Sequence, residues 1–298
     1  MSNVKYIEQN TMGTSTVRSS TGVGYRLVQG VSLTPEQTTP SRVVSSDIAN
    51  KVKRLSSRCT YLTTSNPKTL KSVGYGWVTA ILHLAPARYS GHRVCERYAH
   101  CHEGCLFHQG RGKMTNVVNA RVRKTQALFA DRQGTLMAIA SDIVQLKNAA
   151  ECLNLQFCVR LNGLSDLRWE ESDFALTSFK GNPTLMQLFP DVVFYDYTKI
   201  PYGHRPAWTY VNNYHLTFSF DGSEQDIPNA LDVLDHGHNV NVVYNQNGYD
   251  ALKPRIDAHS LHKFGAPMYD NEAHDLRFAD VSPIVLISRE KGYSKIAI

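Results

Sequence analysis

Six runs of apolar and β-branched residues alternate with stretches of helical spacing, and this alternation constrains the fold more than any other feature of the chain. Buried strands that are connected by helices form mostly parallel sheets. Six successive strands fit an open barrel better than a short doubly wound sheet, and no GxGxxG motif follows the first strand. We therefore expect an α/β fold of the incomplete or modified TIM-type (β/α) barrel class. The predicted strands are Tyr75–Leu84, Leu155–Leu161, Val192–Tyr197, Tyr214–Phe220, Asn239–Tyr244 and Pro283–Ser288.

Helical spacing is clearest between Thr115 and Leu153, where apolar side chains recur every three or four residues. Gly134 is predicted to divide this stretch into two helices, because glycine weakens a helix interior. A short basic helix is expected over Ser46–Arg58, and two further short helices over Leu185–Phe189 and Ile227–Leu234.

The N-terminal part of the chain differs in composition from the rest. Residues 1–50 contain 15 serine and threonine residues and show weak periodicity. We expect residues 1–55 to be a poorly structured N-terminal extension and residues 56–298 to form the barrel domain.

Charge is distributed unevenly along the chain. Residues 1–150 carry 20 Lys and Arg against 7 Asp and Glu, whereas residues 151–298 carry 12 against 19. A basic half of this kind is typical of proteins that bind nucleic acid. The alternative is that the two halves neutralise each other within the fold.

Hydropathy argues against a membrane protein. No window approaches the ~18 apolar residues that a membrane span needs, and the N-terminus lacks the apolar segment of a secretory signal. We expect no membrane contact and a reducing compartment, in which the six cysteines remain thiols or bind metal.

Cys95, Cys101 and Cys105 form a C-x5-C-x3-C loop directly after the first predicted strand. Thiolates bind iron–sulfur clusters and zinc. Three thiolates on a 4Fe-4S cluster would leave one iron open to a ligand. Zinc is the alternative because four histidines in the same segment offer a fourth ligand, although the paired CxxC motifs usual in zinc modules are absent. Three unrelated reduced thiols are a third interpretation.

Polar residues lie near the carboxyl ends of the predicted strands, where parallel barrels carry their functional loops. Asp196 and Lys199 are candidate acid–base partners, and Asp166 is a third catalytic candidate. Structural pairs such as Asp196 with Lys199, or Arg277 with Asp280, are the alternative for each residue taken singly. The candidates for cofactor or substrate binding are Asn162, Ser165, Arg111, Arg121, Lys124, Ser219 and Arg277.

Four further residues receive a structural interpretation. Glu170 and Glu171 are adjacent and are interpreted as a solvated helix start. Cys152 and Cys158 lack basic or metal-ligating neighbours in the sequence and are interpreted as core residues.

Several blocks of the chain resemble phage proteins of the mycobacteriophage gene-product-88 family, over roughly residues 60–298. The resemblance implies a virus-encoded iron–sulfur protein with a barrel-like fold in the host cytoplasm, and it implies no particular reaction. The blocks that carry it include Asn66–Thr69, Thr79–Ala87, the cysteine loop, Gly110–Gly112, Val159–Gly163, Phe194–Lys199 and Leu216–Ser219.

A three-cysteine loop after the first strand is also similar to the radical S-adenosylmethionine barrels, which implies S-adenosylmethionine as a further cofactor. The chain departs from that family in two ways. Its spacing is C-x5-C-x3-C rather than C-x3-C-x2-C, and no Gly-Gly-Glu follows the second predicted strand.

Two functions of different class follow from these observations. In the first, a cluster with one open iron acts as a redox, Lewis-acid or radical centre on an unknown small-molecule or nucleic-acid substrate. In the second, zinc or a cluster only stabilises a protein whose basic N-terminal half binds nucleic acid without catalysis.

Overall fold

The computed structural model describes residues 7–9, 15–18, 24–26, 46–98, 105, 107, 110–176 and 183–290. Its strands are β1 (Ile7–Gln9), β2 (Ser15–Arg18), β3 (Gly24–Arg26), β4 (Leu62–Thr63), β5 (Trp77–Leu82), β6 (Gln156–Arg160), β7 (Val193–Thr198), β8 (Tyr214–Ser219), β9 (Asn239–Tyr244), β10 (Met268–Asp270) and β11 (Val285–Arg289). Its α-helices are α1 (Ser46–Leu55), α2 (Pro67–Leu70), α3 (Thr115–Ala130), α4 (Arg132–Cys152), α5 (Leu185–Leu188), α6 (Ala207–Tyr210), α7 (Ile227–Asp235) and α8 (Gln246–Asp257).

An eight-stranded sheet forms the centre of the molecule, in the order β4-β5-β6-β7-β8-β9-β11-β10. All neighbouring strands are parallel except β4, which pairs with β5 in antiparallel orientation. All six predicted strands are present in it. The prediction missed β4 and β10, the two edge strands, because two or three residues are too few to show a period.

The sheet is open, so a closed TIM barrel is not observed. Its edge strands β4 and β10 pair with one neighbour each and not with one another. Closure of a barrel requires a continuous ring of strands with a matched stagger. Here the sheet ends at β4, an antiparallel edge strand of two residues, and no ring of strands forms. The fold is therefore mixed α/β with an open, mostly parallel sheet.

Alternate residues of each strand point to opposite faces of the sheet, and the two faces are covered differently. The first face packs against the helices in the main core, and Val78, Phe194 and Phe218 belong to the same cluster of buried residues as Leu136 and Ile143 of α4. This packing fixes the strands whose carboxyl ends carry the loops described below.

The second face is covered by the segment that precedes β11. Phe278 in this segment packs edge-on against Trp77 at a ring distance of 4.8 Å, and it also contacts Tyr195 and His215. A smaller, separate apolar cluster is formed by Trp77, Cys158, Val193, Tyr195, Leu276 and Phe278.

The predicted long helix is divided at Asp131, three residues before the expected position. Asp131 ends α3, and its side chain accepts a hydrogen bond of 2.8 Å from the backbone N–H of Gly134 at the start of α4. A side chain at Gly134 would collide with the Asp131 carboxylate. Gly134 therefore leaves space for the cap and does not itself break the helix.

Three short strands are described within the predicted N-terminal extension. Strands β1, β2 and β3 form an antiparallel sheet of their own.

Within the described residues, no helix is both long enough and apolar enough to cross a membrane.

Candidate functional site

The carboxyl edge of the sheet is defined here by the segments that follow β5 to β8, at residues 83–98, 161–171, 199–205 and 220–226. The segment that begins the cysteine loop lies at this edge. Cys95 forms an isolated parallel bridge with Asp166, whose backbone N–H donates a 2.8 Å hydrogen bond to the carbonyl of Val94. The first cysteine is thus fixed beside the end of β6.

The sulfur of Cys95 has polar backbone neighbours. The N–H of Ala87 donates to its Sγ at 3.3 Å, and the carbonyl oxygen of Leu164 lies 3.6 Å from it. A shallow cavity of about 290 Å³ adjoins Cys95 and is also lined by Arg93 and Arg168. A small molecule in this cavity would lie beside the first cysteine.

Cys105 lies near α3, close enough to Arg121 for charges on the two side chains to interact. Burial lowers the pKa of Arg121, and a thiolate at Cys105 acts in the opposite direction. Arg121 also lies 5.8 Å from the ring centre of Phe107 and donates to the carbonyl of Gly112.

The third cysteine of the loop, Cys101, lies outside the described residues, as does the side chain of Arg111. In the part of the chain that the structure describes, no group of three or more His, Cys, Asp or Glu side chains is placed to hold a metal ion. The metal assignment of the loop stays a prediction.

Arg97 attaches the cysteine segment to two further strand ends. Its Nη1 donates to the carbonyl of Lys199 after β7 at 3.1 Å, and it pairs with the buried carboxylate of Asp226 at 2.9 Å. The backbone N–H of Lys199 in turn donates to Asp166. The loops after β5, β6, β7 and β8 are therefore joined by one set of hydrogen bonds.

Asp166 is held by a fully buried arginine that the sequence analysis missed. Arg205 pairs with Asp166 at 3.1 Å and with Glu170 at 2.8 Å, and it donates to the hydroxyl of Tyr214. Burial raises the pKa of Asp166, while Arg205 and the hydrogen bond from Lys199 favour its charged form. The interpretation of Glu170 as solvated is wrong, because its side chain is only 2% exposed.

Asn162 and Ser165, predicted to bind a cofactor, hydrogen-bond to each other. Asn162 Oδ1 accepts from Ser165 Oγ at 2.8 Å, from the backbone of Leu167 and from the indole of Trp169. The Asn162 amide donates to the carbonyl of Leu167. The two side chains fix the shape of the loop after β6.

Asp196 and Lys199 make separate sets of contacts. Asp196 accepts hydrogen bonds of 2.7 Å from the backbone of Asn162 and from the hydroxyl of Tyr214. Burial raises the pKa of Asp196 to about 7, although Arg160 and these hydrogen bonds favour the carboxylate. Lys199 Nζ instead donates to the carbonyl of Ser219 at 2.9 Å and lies 3.4 Å from its hydroxyl. No hydrogen bond or ion pair joins Asp196 to Lys199.

Lys124 and Arg277, two further binding candidates, lie apart from Cys95. Lys124 donates to the carbonyl of Tyr61 at 2.7 Å. Arg277 lies under the second face of the sheet, where it pairs with Asp280 at 3.3 Å. The structure brings Asn162, Ser165, Asp166, Lys199 and Ser219 to the carboxyl edge with Cys95.

His83, at the end of β5, is a second residue that the sequence analysis missed. Its Nδ1 is buried with no hydrogen-bond partner, and Gly163 packs so closely that any side chain at 163 would collide with it. Burial, together with Arg121, Arg160 and Lys124, lowers the pKa of His83 to about 3. The only sequence signal for His83 as a site residue was its position at the end of a predicted buried strand.

The cysteines outside the loop differ from one another. Cys158 is fully buried, with its sulfur 3.3 Å from the hydroxyl of Thr79, as predicted for a core residue. Cys152 is exposed at the end of α4, so its interpretation as core is wrong. The last turn of α4 faces solvent at this position.

Comparison with known proteins identifies a family. A family model described as gene product 88 matches residues 53–297. No curated protein and no solved structure matches the chain. Because the family match spans most of the sequence and begins close to the predicted end of the extension, the chain belongs to the gene product 88 family of phage-type proteins.

Proposed function

We propose that this protein is an iron–sulfur protein of the host cytoplasm whose 4Fe-4S cluster is held by Cys95, Cys101 and Cys105. The observation that carries the proposal is the position of Cys95, which is bridged to Asp166 at the carboxyl edge of the sheet. Loops at this edge of parallel sheets hold functional groups in many α/β proteins. In this proposal β5 to β9 correspond to an incomplete TIM-type barrel that carries the cluster at its functional end.

The chemistry of the residues present fits such a cluster. Thiolates are the protein ligands of iron–sulfur clusters, and hydrogen bonds to their sulfurs tune the cluster potential. The N–H of Ala87 supplies one such hydrogen bond to Cys95. Arg121 lies near Cys105 and would offset the negative charge of the thiolates.

A cluster with three cysteine ligands has one iron open, and when bound it supplies a Lewis-acid or redox centre. The chain itself would hold the substrate beside it. Arg93 and Arg168 line the cavity next to Cys95, where Arg168 pairs with Glu96 and Glu171. Asp166, which pairs with the buried Arg205, also lines this cavity.

The acid–base roles of Asp196, Lys199 and Asp166 stay predictions within this proposal, as does S-adenosylmethionine as a second cofactor. Asp196, with its raised pKa, is the group whose protonation changes near neutral pH. Substitution of Lys199 by methionine removes the amine and preserves the length of the side chain. It therefore tests whether the Lys199 amine takes part in acid–base chemistry.

The second candidate is a zinc site that only stabilises the loop of a nucleic-acid-binding protein. Metal and sulfide assays after anaerobic purification distinguish the two. A cluster protein is brown, absorbs broadly near 400 nm and contains acid-labile sulfide in amounts similar to iron. A colourless protein with zinc and no sulfide would overturn the cluster proposal.

Single substitutions test the ligand set. Serine at Cys95, Cys101 or Cys105 is expected to remove or destabilise the cluster, because a serine hydroxyl is a poor substitute for a thiolate. Cys152→Ser is the matched control, since that thiol is exposed at the far end of α4. Full iron content in Cys101→Ser would show that the loop is not the site.

A further inference from the structure

Three hydrogen-bond donors lie next to one another on the second face of the sheet, at the carboxyl ends of β7, β8 and β9. They are Lys199, Ser219 and Asn241, and they are called the donor row below. We propose that the donor row binds the anionic group, a phosphate or a carboxylate, of a small-molecule ligand. The proposal goes beyond the cluster and does not rest on it, because none of the three residues is a proposed metal ligand.

The strand register places the three side chains side by side. Ser219 of β8 is the direct partner of Asn241 of β9. Lys199 follows β7, and its Nζ lies 3.4 Å from Ser219 Oγ. Since neighbouring strands lie only about 5 Å apart, a single oxyanion group can accept hydrogen bonds from all three side chains.

The packing of their neighbours shows which face the donor row occupies. Val240 and Val242 flank Asn241 in β9 and belong to the main core, as does Phe218 next to Ser219 in β8. Because successive side chains of a strand point to opposite faces, Asn241 and Ser219 point to the second face. Side chains from the carboxyl ends of several strands form the substrate sites of parallel β/α folds.

Lys199 carries a charge without a close carboxylate partner in the part of the chain that the structure describes. Its Nζ donates to the carbonyl of Ser219 at 2.9 Å and lies 3.5 Å from the carbonyl oxygen of Phe220. The charge of Lys199 also acts on Asp166 at longer distance. Both oxygens of that carboxylate already accept hydrogen bonds, one from Arg205 and one from the backbone N–H of Lys199. An anionic ligand would therefore give the ammonium its charged partner.

Asn241 is only 5% exposed, and its side chain is bonded on one side. Its Oδ1 accepts hydrogen bonds of 2.7 Å from Asn271 and 2.6 Å from Ser288. Asn271 in turn accepts from the hydroxyl of Tyr197 at 3.1 Å, and these contacts fix the orientation of the amide. The Asn241 Nδ2 has no acceptor among the described residues. Since buried amide groups are normally bonded, its N–H groups point to an acceptor supplied by a ligand.

Two acidic side chains that follow β8 already have partners. Asp226 pairs with Arg97 and accepts from the backbone N–H of Asp221. Asp221 accepts from the backbone and the hydroxyl of Ser223. The donor row thus combines an ammonium, a hydroxyl and an amide, and a group that only accepts hydrogen bonds is its chemical complement. Ionised phosphates and carboxylates are such groups.

Isothermal titration calorimetry of the full chain tests the site, with sodium phosphate and sodium acetate as probes in separate titrations at constant ionic strength. We expect saturable binding of at least one probe with a Kd of roughly 1 mM or lower. The probe that binds more tightly identifies phosphate or carboxylate as the preferred group. Iron analysis of the same preparation reports on the cluster separately, so the failure of one proposal does not decide the other.

Substitutions in the donor row test the residues against a matched control. Lys199→Met should weaken binding of the tighter probe by about tenfold or more, because it removes a charged donor, whereas Lys199→Arg should lose less. Asn241→Asp should weaken binding at least as much, since it exchanges an amide donor for a negative charge. The control is Lys147→Met on α4, whose ammonium pairs with Asp191 and Glu151, and it should change affinity less than about twofold.

Three results would overturn the proposal. The first is that neither phosphate nor acetate binds the wild-type chain saturably at millimolar concentration. The second is that Lys147→Met weakens binding as much as Lys199→Met, which would show that only net charge matters. The third is unchanged affinity in Asn241→Asp when circular dichroism shows an intact fold, and this variant decides the question if Lys199→Met does not fold.

Discussion

At the scale of single residues, Asp275 organises the charges beneath the second face of the sheet. Its carboxylate lies 3.2 Å from Lys68 Nζ and 3.5 Å from Arg160, and it accepts a 2.8 Å hydrogen bond from Tyr195. Burial acts to raise the pKa of Asp275, but Lys68, Arg160 and Arg277 outweigh it and lower that pKa to about 2. Asp275→Asn should reduce the free energy of unfolding by about 3–5 kcal/mol, because it leaves buried cations without their partner.

Urea denaturation measures this loss, with Asp173→Asn as the control. The Asp173 carboxylate is 76% exposed and 3.8 Å from Arg132, so its removal should cost less than about 1 kcal/mol. Since the pKa of Asp275 is lowered on folding, its contribution should be present above about pH 4 and decline toward pH 2. Equal losses in the two variants would contradict the assigned role of Asp275.

Asp196 is expected to give the free energy of unfolding the opposite pH dependence. Burial raises its pKa to about 7, so between that value and the ordinary value near 4 the folded state binds more protons than the unfolded state. The free energy of unfolding should therefore fall as the pH rises from about 4 to about 7. Asp280, with a pKa that burial raises to about 6, contributes in the same direction.

Replacement of Asp196 by asparagine should make this pH dependence shallower without abolishing it. The comparison is between urea midpoints of the wild type and the variant across the same pH range. An identical slope in both proteins would show that Asp196 is ionised throughout the range.

At the scale of elements, the loop after β6 packs closely against the end of β5 because Gly163 has no side chain. A Cβ at Gly163 would lie 2.7 Å from the carbonyl oxygen of Leu82 and would collide with His83. Gly163→Ala should reduce the free energy of unfolding by about 1–3 kcal/mol, because backbone and a buried ring must both move.

Gly203→Ala is the matched control for that substitution. A Cβ at Gly203 meets no atom within 4 Å, and its cost should stay within about 0.5 kcal/mol. If thermal or urea denaturation gave the same loss for both variants, the packing of His83 against Gly163 would not matter to stability.

The junction between α3 and α4 gives a second prediction at this scale. Asp131→Ala should destabilise the protein by about 1 kcal/mol because it removes the cap of α4, whereas Asp131→Asn should retain most of the cap. Circular dichroism during urea denaturation compares the two. A loss as large in the asparagine variant would show that the charge and not the cap is important.

The elements that could be predicted from the sequence are those with an internal pattern. The six main strands are buried apolar runs, and α3, α4 and α7 have helical spacing. Strand β10 is too short to show a period, and α8 was missed because it is largely polar and contains Pro254. Pattern alone could not identify these elements.

Buried charges were the least predictable feature of the site. Arg205 is buried because Asp166, Glu170 and Tyr214 surround it, and these residues meet only after the sheet has formed. The same holds for Glu170, which was predicted to be exposed to solvent because of its neighbours in the sequence. The placement of polar residues at the strand ends was predicted, but their partners were not.

At the scale of the whole molecule, the sheet order explains how distant residues reach one edge. Strands β5 to β9 lie side by side in chain order and in parallel, so their carboxyl ends meet at the same edge. Cys95, Asp166, Lys199 and Asp226 follow four successive strands and are joined there through Arg97 and hydrogen bonds. The start of the cysteine loop, at Cys95 and Arg97, is thereby anchored to the carboxyl edge of the sheet.

The most direct test of the proposed cluster is its location. Crystals grown anaerobically and measured at the iron absorption edge would show anomalous scattering at the iron positions. The proposal predicts one compact peak within bonding distance of the Cys95 and Cys105 sulfurs, beside the Asp166 bridge at the carboxyl edge. A peak elsewhere in the molecule, or a signal at the zinc edge with none at the iron edge, would contradict it.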